Sequence, residues 1–288
     1  MKKILVLLVS TLLIACSVKQ KVANGKNGED GTGFKPKISQ QDLKVSMEYL
    51  ASDELEGRAT GSKGIEKAAV FIEKFLEEHG IKPYFETYRD TFNIGDIIGY
   101  NIVGMIEGND SKLKNEFIIL GGHYDHIGEG KEVSGDKIAN GANDDASGTI
   151  AAMEFGKYFA QTKTNKRSIL ITLYAAEEMG LKGSGHLAER IKTKGINAYT
   201  MINFEMIGVP RTTDKTIAYM SGYERSNFAS TLNRYADEEV VGFFPKAKDF
   251  NLFMRSDNFP FFKELKIPAH AVSTFDFTNF DYYHHVDD

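Results

Sequence analysis

Short apolar runs alternate with amphipathic stretches along most of the chain, and this alternation limits the possible folds more than any other feature. Residues 63–80 place apolar side chains on one helical face and end at a glycine, a typical helix stop. Similar patterns predict strands at 84–92, 97–106, 116–120, 168–175, 199–205, 216–220 and 269–274, and further helices at 146–160, 183–191 and 226–238. Strands alternating with helices predict an α/β three-layer sandwich with a mixed, mostly parallel central sheet, in which the early consecutive strands form an antiparallel edge.

The first 15 residues have the features of an export signal. Lys2 and Lys3 precede an apolar run over residues 4–15, which is shorter than the roughly 20 residues of a membrane-spanning helix. The run ends before Cys16, the only cysteine, and so resembles a bacterial lipoprotein signal that is cut before an acylated cysteine; the alternatives are an ordinary signal peptide and an uncleaved anchor.

The residues after Cys16 predict how the rest of the chain is held. Residues 16–36 are polar and rich in glycine, which predicts a flexible tether to one folded domain over residues 37–288. Acyl chains on Cys16 would make a stable anchor. We therefore expect a lipid-anchored protein of the bacterial cell envelope, in the outer membrane or facing the periplasm.

Composition narrows the classes of function. The 288 residues include 35 Lys and Arg and 40 Asp and Glu, and the net charge of -5 argues against nucleic-acid binding. A single cysteine excludes an internal disulfide framework and a cysteine-based zinc cluster. Seven histidines and many carboxylates remain as possible metal ligands.

Histidines and acids follow the predicted strands, where an α/β sheet usually carries its sites. They are His123, Asp125 and His126, then Asn143-Asp144-Asp145, then Glu177-Glu178, then Glu205, and finally His284-His285. Each group has an ordinary explanation alone, such as a helix N-cap for the paired aspartates. Together, so many acids at one sheet edge would repel one another without cations, and histidine with carboxylate is a ligand set that suits zinc. The pattern therefore favours a metal site, and pairs of metals about 3.5–4 Å apart are common in hydrolases.

These residues resemble the M28 family of co-catalytic zinc aminopeptidases, from about residue 42 to the end of the chain. The family pattern is a His-x-Asp, an Asn/Asp-Asp-Asp-x-Ser-Gly loop, a Glu-Glu pair, an Asn-x-Asp-Met-x-Gly strand end and a late Tyr-His. These motifs occur here in that order, with Glu205 in place of the Asp of the strand end. The stretch Leu-Ala-Ser-Asp-Glu-Leu-Glu-Gly-Arg at 50–58 is also similar to the family. The resemblance implies a zinc-exopeptidase-like fold and two zinc ions per chain.

The resemblance also implies the metal ligands. They are His123 and Glu205 for the first zinc, Asp144 as the bridging carboxylate, and Glu178 and His284 for the second zinc. Asp144 is preferred to Asp145 as the first acid of the Asp-x-x-Ser-Gly unit, and the Tyr-His order favours His284 over His285. Glu205 departs from the family, which usually has the shorter Asp there. His126 is not assigned, because only His123 holds the family position.

Three further residues are implied in catalysis. Asp125 matches the carboxylate that orients the imidazole of His123, Glu177 matches the general base, and Tyr283 is a candidate hydrogen-bond donor to the oxyanion. The stretch 255–262 lies where the family often has Ser-Asp-x-x-x-Phe beside the substrate pocket. The alternative is that its phenylalanines pack a helix on the core.

The expected function is zinc-dependent hydrolysis of peptide bonds, with removal of N-terminal residues from peptide substrates. One alternative is a glutaminyl-peptide cyclase, which by resemblance shares the fold but uses one zinc; there the glutamate pair follows Asp-Gly, whereas Ala175-Ala176 precede it here. Another is a surface-tethered binding protein with an impaired site. The sequence contains neither a Gly-x-Ser-x-Gly nor a His-Glu-x-x-His motif, which argues against a serine hydrolase and a single-helix zinc protease.

Overall fold

The computed structural model of this chain describes residues 38–212 and 215–288. The predicted signal peptide, Cys16 and the predicted tether lie outside the described residues. In these two ranges, no helix is long and apolar enough to cross a membrane.

Seven α-helices, a few short 3-10 helices and eleven strands make up the described part of the fold. The helices are α1 (Gln40–Leu50), α2 (Lys63–Glu78), α3 (Ser147–Thr162), α4 (Lys182–Thr193), α5 (Phe228–Ala236), α6 (Pro245–Asp249) and α7 (Asn258–Leu265). The strands are β1 (Lys82–Pro83), β2 (Arg89–Ile94), β3 (Ile97–Ile106), β4 (Phe117–His123), β5 (Glu129–Val133), β6 (Asp136–Ile138), β7 (Ser168–Tyr174), β8 (Ala198–Glu205), β9 (Ala218–Met220), β10 (Val241–Gly242) and β11 (Ala269–Ser273).

One mixed sheet contains nine of the strands described. Its order is β1-β3-β7-β4-β8-β11-β9-β10, and β2 pairs with β3 outside this path. The central strands β7, β4, β8 and β11 run parallel to one another, whereas β1, β2 and β7 are antiparallel to β3. The predicted α/β sandwich, with a parallel centre and an antiparallel edge built from the early strands, is confirmed.

Helices cover both faces of the sheet and make it the middle of three layers. On one face, Ile72 of α2 packs into a core that includes Ile171 of β7. On the other face, Leu187 of α4 and Phe261 of α7 pack into a core that includes Leu170 of β7. Neighbouring residues of β7 therefore enter opposite cores, as the period of two along a strand requires.

The structure differs from the sequence-based prediction at several elements. The strand predicted at 84–92 is displaced to β2, while Tyr84 and Phe85 pack against the core from a bend. The small hairpin of β5 and β6 was not predicted, because its residues are mostly polar and exposed and so show no apolar alternation. The other predicted elements begin and end within three residues of the observed ones.

Candidate metal centre

The carboxyl ends of three neighbouring parallel strands carry most of the predicted site residues. These residues are His123 at the end of β4, Glu177 and Glu178 after β7, and Glu205 at the end of β8. Two other segments reach the same edge: Asp144 lies in the turn Ala142–Ala146 before α3, and His284 lies after β11. The parallel order of β7, β4 and β8 therefore brings together residues that are far apart in sequence.

Asp144 lies between the two predicted histidines. Its Oδ1 is 3.3 Å from Nε2 of His123, and its Oδ2 is 3.4 Å from Nε2 of His284. Asp145 is placed differently, since its Oδ1 accepts hydrogen bonds from the main-chain N–H groups of Gly148 and Met206. Of the two aspartates, Asp144 is the one whose two carboxylate oxygens face His123 and His284.

The remaining predicted ligands, Glu178 and Glu205, each lie beside one of these two histidines. Oε2 of Glu178 lies 3.0 Å from Nε2 of His284, and Oε1 of Glu205 lies 3.5 Å from Nε2 of His123. The longer side chain of Glu205 is held by Ser256, whose hydroxyl donates to it at 2.7 Å. The extra methylene at this position therefore still brings the carboxylate to His123.

The predicted orienting role of Asp125 takes a different form in the structure. Nδ1 of His123 lies 3.1 Å from the main-chain carbonyl oxygen of Asp125, whereas the Asp125 carboxylate is 3.7 Å away, beyond a hydrogen bond. That carboxylate instead accepts from the main-chain N–H groups of Glu177 and Glu178, at 3.1 Å and 3.4 Å. Asp125 thus fixes the glutamate pair as well as the histidine.

Glu177 and Tyr283 line an open cavity beside the acidic cluster. Burial raises the pKa of Glu177, and the neighbouring carboxylate of Glu205 adds to the effect. Burial and the nearby acids also raise the pKa of Tyr283, which keeps its hydroxyl protonated. The other walls of the cavity are largely apolar and include Phe275 and Phe277.

The two histidines that the sequence left ambiguous have different surroundings. His285 points away from the acidic cluster and pairs with Asp287, with 3.4 Å between Nδ1 and Oδ2. His126 is only 1% exposed, and its Nδ1 lies 3.0 Å from Oε1 of Glu178. The structure therefore places His284 rather than His285 at the site, and it adds His126.

The stretch 255–262 serves both of the roles considered for it. Ser256 holds Glu205, and Asp257 is fully buried near the site, where burial raises its pKa to about 7. Phe261 is completely buried in the core beneath α4 and α7. The stretch therefore supports the site through its first residues and packs the helix through the later ones.

Arg58 and Asp288 hold the loops of the site, and sequence reasoning assigned neither a role. The buried guanidinium of Arg58 donates to four main-chain carbonyl oxygens, those of Leu50, Tyr124, Asn140 and Gly141. The carboxylate of Asp288 accepts from the main-chain N–H groups of Asn143 and Asp144, at 2.6 Å and 3.1 Å. Arg58 lies in the stretch at 50–58 that is similar to the family. The sequence does not show which groups Arg58 contacts, because tertiary packing determines them.

Metal ions fit the donor set. Several buried polar atoms of the described residues lack a hydrogen bond and converge at the sheet edge: Nε2 of His123, both ring nitrogens of His126, Oδ2 of Asp145, Oε1 of Glu178 and Nε2 of His284. Donor atoms within 4.8 Å of one another form two groups, His126 with Asp144, Glu178 and His284, and His123 with Asp145 and Glu205. Buried groups of this kind are costly unless they are paired or bind a metal.

An α/β sandwich with two groups of metal donors at the carboxyl ends of its central strands defines a class of metal-dependent enzymes. Residues 101–288 match Peptidase family M28, and the chain belongs to this family.

Three known proteins illustrate the similarity. A probable zinc metalloprotease of Pyrenophora tritici-repentis (strain Pt-1C-BFP) is 36% identical over 116 residues, which are 40% of this chain and 26% of that protein. The LapA aminopeptidase of Legionella pneumophila superposes with a TM-score of 0.66 at 24% identity, covering 87% of this chain and 65% of that one. The glutaminyl cyclase of Porphyromonas gingivalis gives 0.65 at 17% identity, covering 87% and 90%.

The matched region is thus about a quarter of the length of that metalloprotease. The two structural similarities show a shared fold, and their nearly equal TM-scores do not separate peptidase from cyclase.

Proposed function

We propose that the protein is a metallo-aminopeptidase that binds two zinc ions, hydrolyses peptide bonds and removes residues from free N-termini. The observation that carries this proposal is the position of Asp144, whose two carboxylate oxygens face His123 and His284 at 3.3 Å and 3.4 Å. One carboxylate that reaches both histidines suits a pair of metals with a shared ligand. Membership of the M28 family and the zinc metalloprotease relatives support zinc as the metal.

The side chains around the metals have separate tasks in this proposal. Bound zinc would supply Lewis acidity, which lowers the pKa of water and polarises a carbonyl group. Glu177 would accept a proton from the attacking water and return it to the leaving amine. Tyr283 would donate its hydroxyl hydrogen to the oxyanion that forms on the substrate carbonyl.

The cavity supports a peptide substrate with a free amino terminus. Its wall includes Glu177, Glu178 and Glu205, and an acidic wall of this kind attracts an ammonium group. Apolar residues such as Leu252, Phe275 and Phe277 also line the cavity and can contact an uncharged side chain.

Glutaminyl cyclase is the second candidate, because a known cyclase shares the fold as closely as the aminopeptidase does. The two functions make different products. A peptidase releases a free amino acid, whereas a cyclase releases ammonia from an N-terminal glutamine.

One experiment separates these functions. The full chain, loaded with zinc, is incubated with peptides that carry free, acetylated or glutaminyl N-termini, and the products are analysed by mass spectrometry with a chelated sample as the control. We expect the loss of one residue from free N-termini only, abolished by the chelator. Loss of ammonia from the glutaminyl peptide alone would assign the cyclase, and an absence of any product would favour a binding role.

We also propose that the protein is exported and attached to the cell envelope through lipid on Cys16. The basic start, the apolar run and the position of the only cysteine support this proposal. In a bacterial host given labelled palmitate, the full chain should take up label and sediment with membranes. Cys16→Ser should lose both properties and Ser17→Ala should keep them; equal labelling of the two variants would contradict the proposal.

A further inference from the structure

We propose that His126 is a direct ligand of the metal held by Asp144, Glu178 and His284, so that this position has four protein ligands and the two metal positions are unequal. This inference rests on the proposed binding of zinc. Its test measures metal binding, so it is independent of whether the protein cleaves peptides.

The position of His126 is fixed by the fold. The residue follows β4, and its main-chain N–H donates to the carbonyl oxygen of Arg58. Its ring lies 5.5 Å from the ring of His284, centroid to centroid, at an angle of 78°. Its Nδ1 is 3.0 Å from Oε1 of Glu178 and 3.9 Å from Oδ2 of Asp144. The ring therefore faces three of the predicted ligands.

The possible metal-donor atoms nearest to His126 have no hydrogen-bond partner within the described residues. Nδ1 and Nε2 of His126, Oε1 of Glu178 and Nε2 of His284 are all buried and lack a hydrogen bond. Nδ1 of His126 and Oε1 of Glu178 are close enough to bond but are not aligned for it. Two buried metal-donor atoms that lie close together without a hydrogen bond between them are well placed to bind the same cation.

The backbone leaves room for this ring. Gly141 has φ of +61°, and a Cβ atom on it would lie 2.6 Å from Cγ of His126 and 2.3 Å from the carbonyl oxygen of Asp144. A larger residue at this position would displace the imidazole or the turn that carries Asp144. The glycine thus allows His126 to approach the acidic cluster.

The chemistry of the donors makes the two positions different. His126, Asp144, Glu178 and His284 are four donors within 4.8 Å of one another, which is the number that fills a tetrahedral zinc site. The group around His123 has three donors, His123, Asp145 and Glu205, to which Asp144 can add a shared oxygen, but only one of these donors is an imidazole. The first zinc ion should therefore bind at the four-ligand position, and two imidazoles there favour zinc over magnesium or manganese.

The test uses metal-free full chain and zinc alone. Zinc is added against a chromophoric chelator to obtain the two binding constants, and X-ray absorption at one equivalent counts the imidazoles on the first zinc. We expect unequal constants and two imidazoles for the natural sequence. His126→Ala should leave one imidazole and weaken the first binding step by at least about 100-fold, because even the loss of a residue that only orients a ligand costs about 10- to 100-fold.

Two further variants guard the interpretation. His285→Ala should keep both constants and both imidazoles, because His285 pairs with Asp287 away from the cluster. His126→Gln fills nearly the same volume, so it should reproduce the loss of one imidazole if His126→Ala fails to fold. One imidazole on the first zinc of the natural sequence, or an unchanged count in both His126 variants, would overturn the proposal.

Discussion

At the scale of single residues, Arg58 stabilises the site without reaching its metal donors. Its guanidinium is 1% exposed and donates to carbonyl oxygens from the loops that carry Asp125 and Asp144. Burial lowers its pKa to about 10, while nearby aspartates oppose that shift, so the group stays charged at neutral pH. Arg58 thus places one fixed positive charge beside an acidic cluster and joins two loops of the site.

Replacement of Arg58 should therefore destabilise the fold. Arg58→Met leaves four buried carbonyl oxygens without their donor, and we expect the free energy of unfolding to fall by about 3 kcal/mol or more. Urea denaturation followed by circular dichroism measures this change. Arg234→Met, on the exposed face of α5, is the matched control and should change stability by less than about 0.5 kcal/mol. Equal losses in both variants would contradict the role given to Arg58.

Glu177 provides a second prediction at this scale. Glu177→Gln removes the proposed base but none of the proposed ligands, so zinc content measured by plasma mass spectrometry should stay nearly unchanged. Peptide cleavage should fall by about 100-fold or more. The exposed Glu189→Gln on α4 is the control and should retain full activity. Cleavage by Glu177→Gln at the natural rate would reject Glu177 as the base.

The sequence predicted residues whose roles follow from their position after a strand. His123, Glu178 and Glu205 became candidates because they follow predicted strands, and the resemblance to the M28 family implied their roles as ligands. Arg58 and Asp288 were not assigned, because each acts through main-chain groups that are distant in sequence. Local pattern carries no information about such partners, which only tertiary packing defines.

At the scale of elements, the helix α2 fixes the short helix Asp53–Arg58 that ends with Arg58. Gly64, in the first turn of α2, packs so closely that a Cβ atom there would lie 1.7 Å from the carbonyl oxygen of Leu55. Ser62 caps the helix by accepting from the N–H of Ile65. The close approach of these two helices therefore determines where Arg58 enters the core.

Substitution of Gly64 tests this contact. Gly64→Ala forces the two helices apart and should lower the free energy of unfolding by about 1–3 kcal/mol, in spite of the better helix propensity of alanine. Gly185→Ala, in α4, is the matched control, because its Cβ would meet no atom within 4 Å. That variant should gain about 0.5–1 kcal/mol. Chemical denaturation of both variants checks the prediction, and a gain for Gly64→Ala would contradict it.

Helices and strands could be predicted where burial makes apolar residues recur at a regular spacing. The bounds of β3 agree with the predicted strand at 97–106, since an apolar strand between two layers has an unambiguous pattern. The β5–β6 hairpin was not predicted, and the bend at Tyr84 and Phe85 was predicted as a strand, for opposite reasons. The hairpin has little apolar pattern, and the bend has apolar residues that pack without forming a strand.

At the scale of the whole molecule, the metal-free chain holds extra protons at the site. Burial raises the pKa of Asp257 to about 7, and the adjacent carboxylates of Asp144 and Glu178 raise that of His284 to about 10. For both groups the folded chain binds protons more tightly than the unfolded chain. Their contribution to stability is therefore present at low pH and is lost as the pH rises.

The stability of the metal-free chain should consequently fall from about pH 4 to about pH 10. The pKa values of Asp144 and Glu178 are lowered in the folded chain, so these two groups stabilise the fold while they are ionised. This contribution to stability is lost only as the pH falls into the acid range. Bound zinc replaces the protons, so it should stabilise the chain more at high pH than at low pH. Thermal unfolding with chelator and with zinc, across this range, measures both trends. A metal-free Tm that rises with pH would contradict the prediction.

The order of the site residues along the chain has a consequence for biosynthesis. The possible metal ligands on β4 and β8 are translated well before His284. Asp288, which accepts a hydrogen bond from the main chain of Asn143, is translated after β11. A nascent chain still inside the ribosome at that stage has an incomplete set of ligands. The proposed four-ligand position can therefore form only after translation has passed His284.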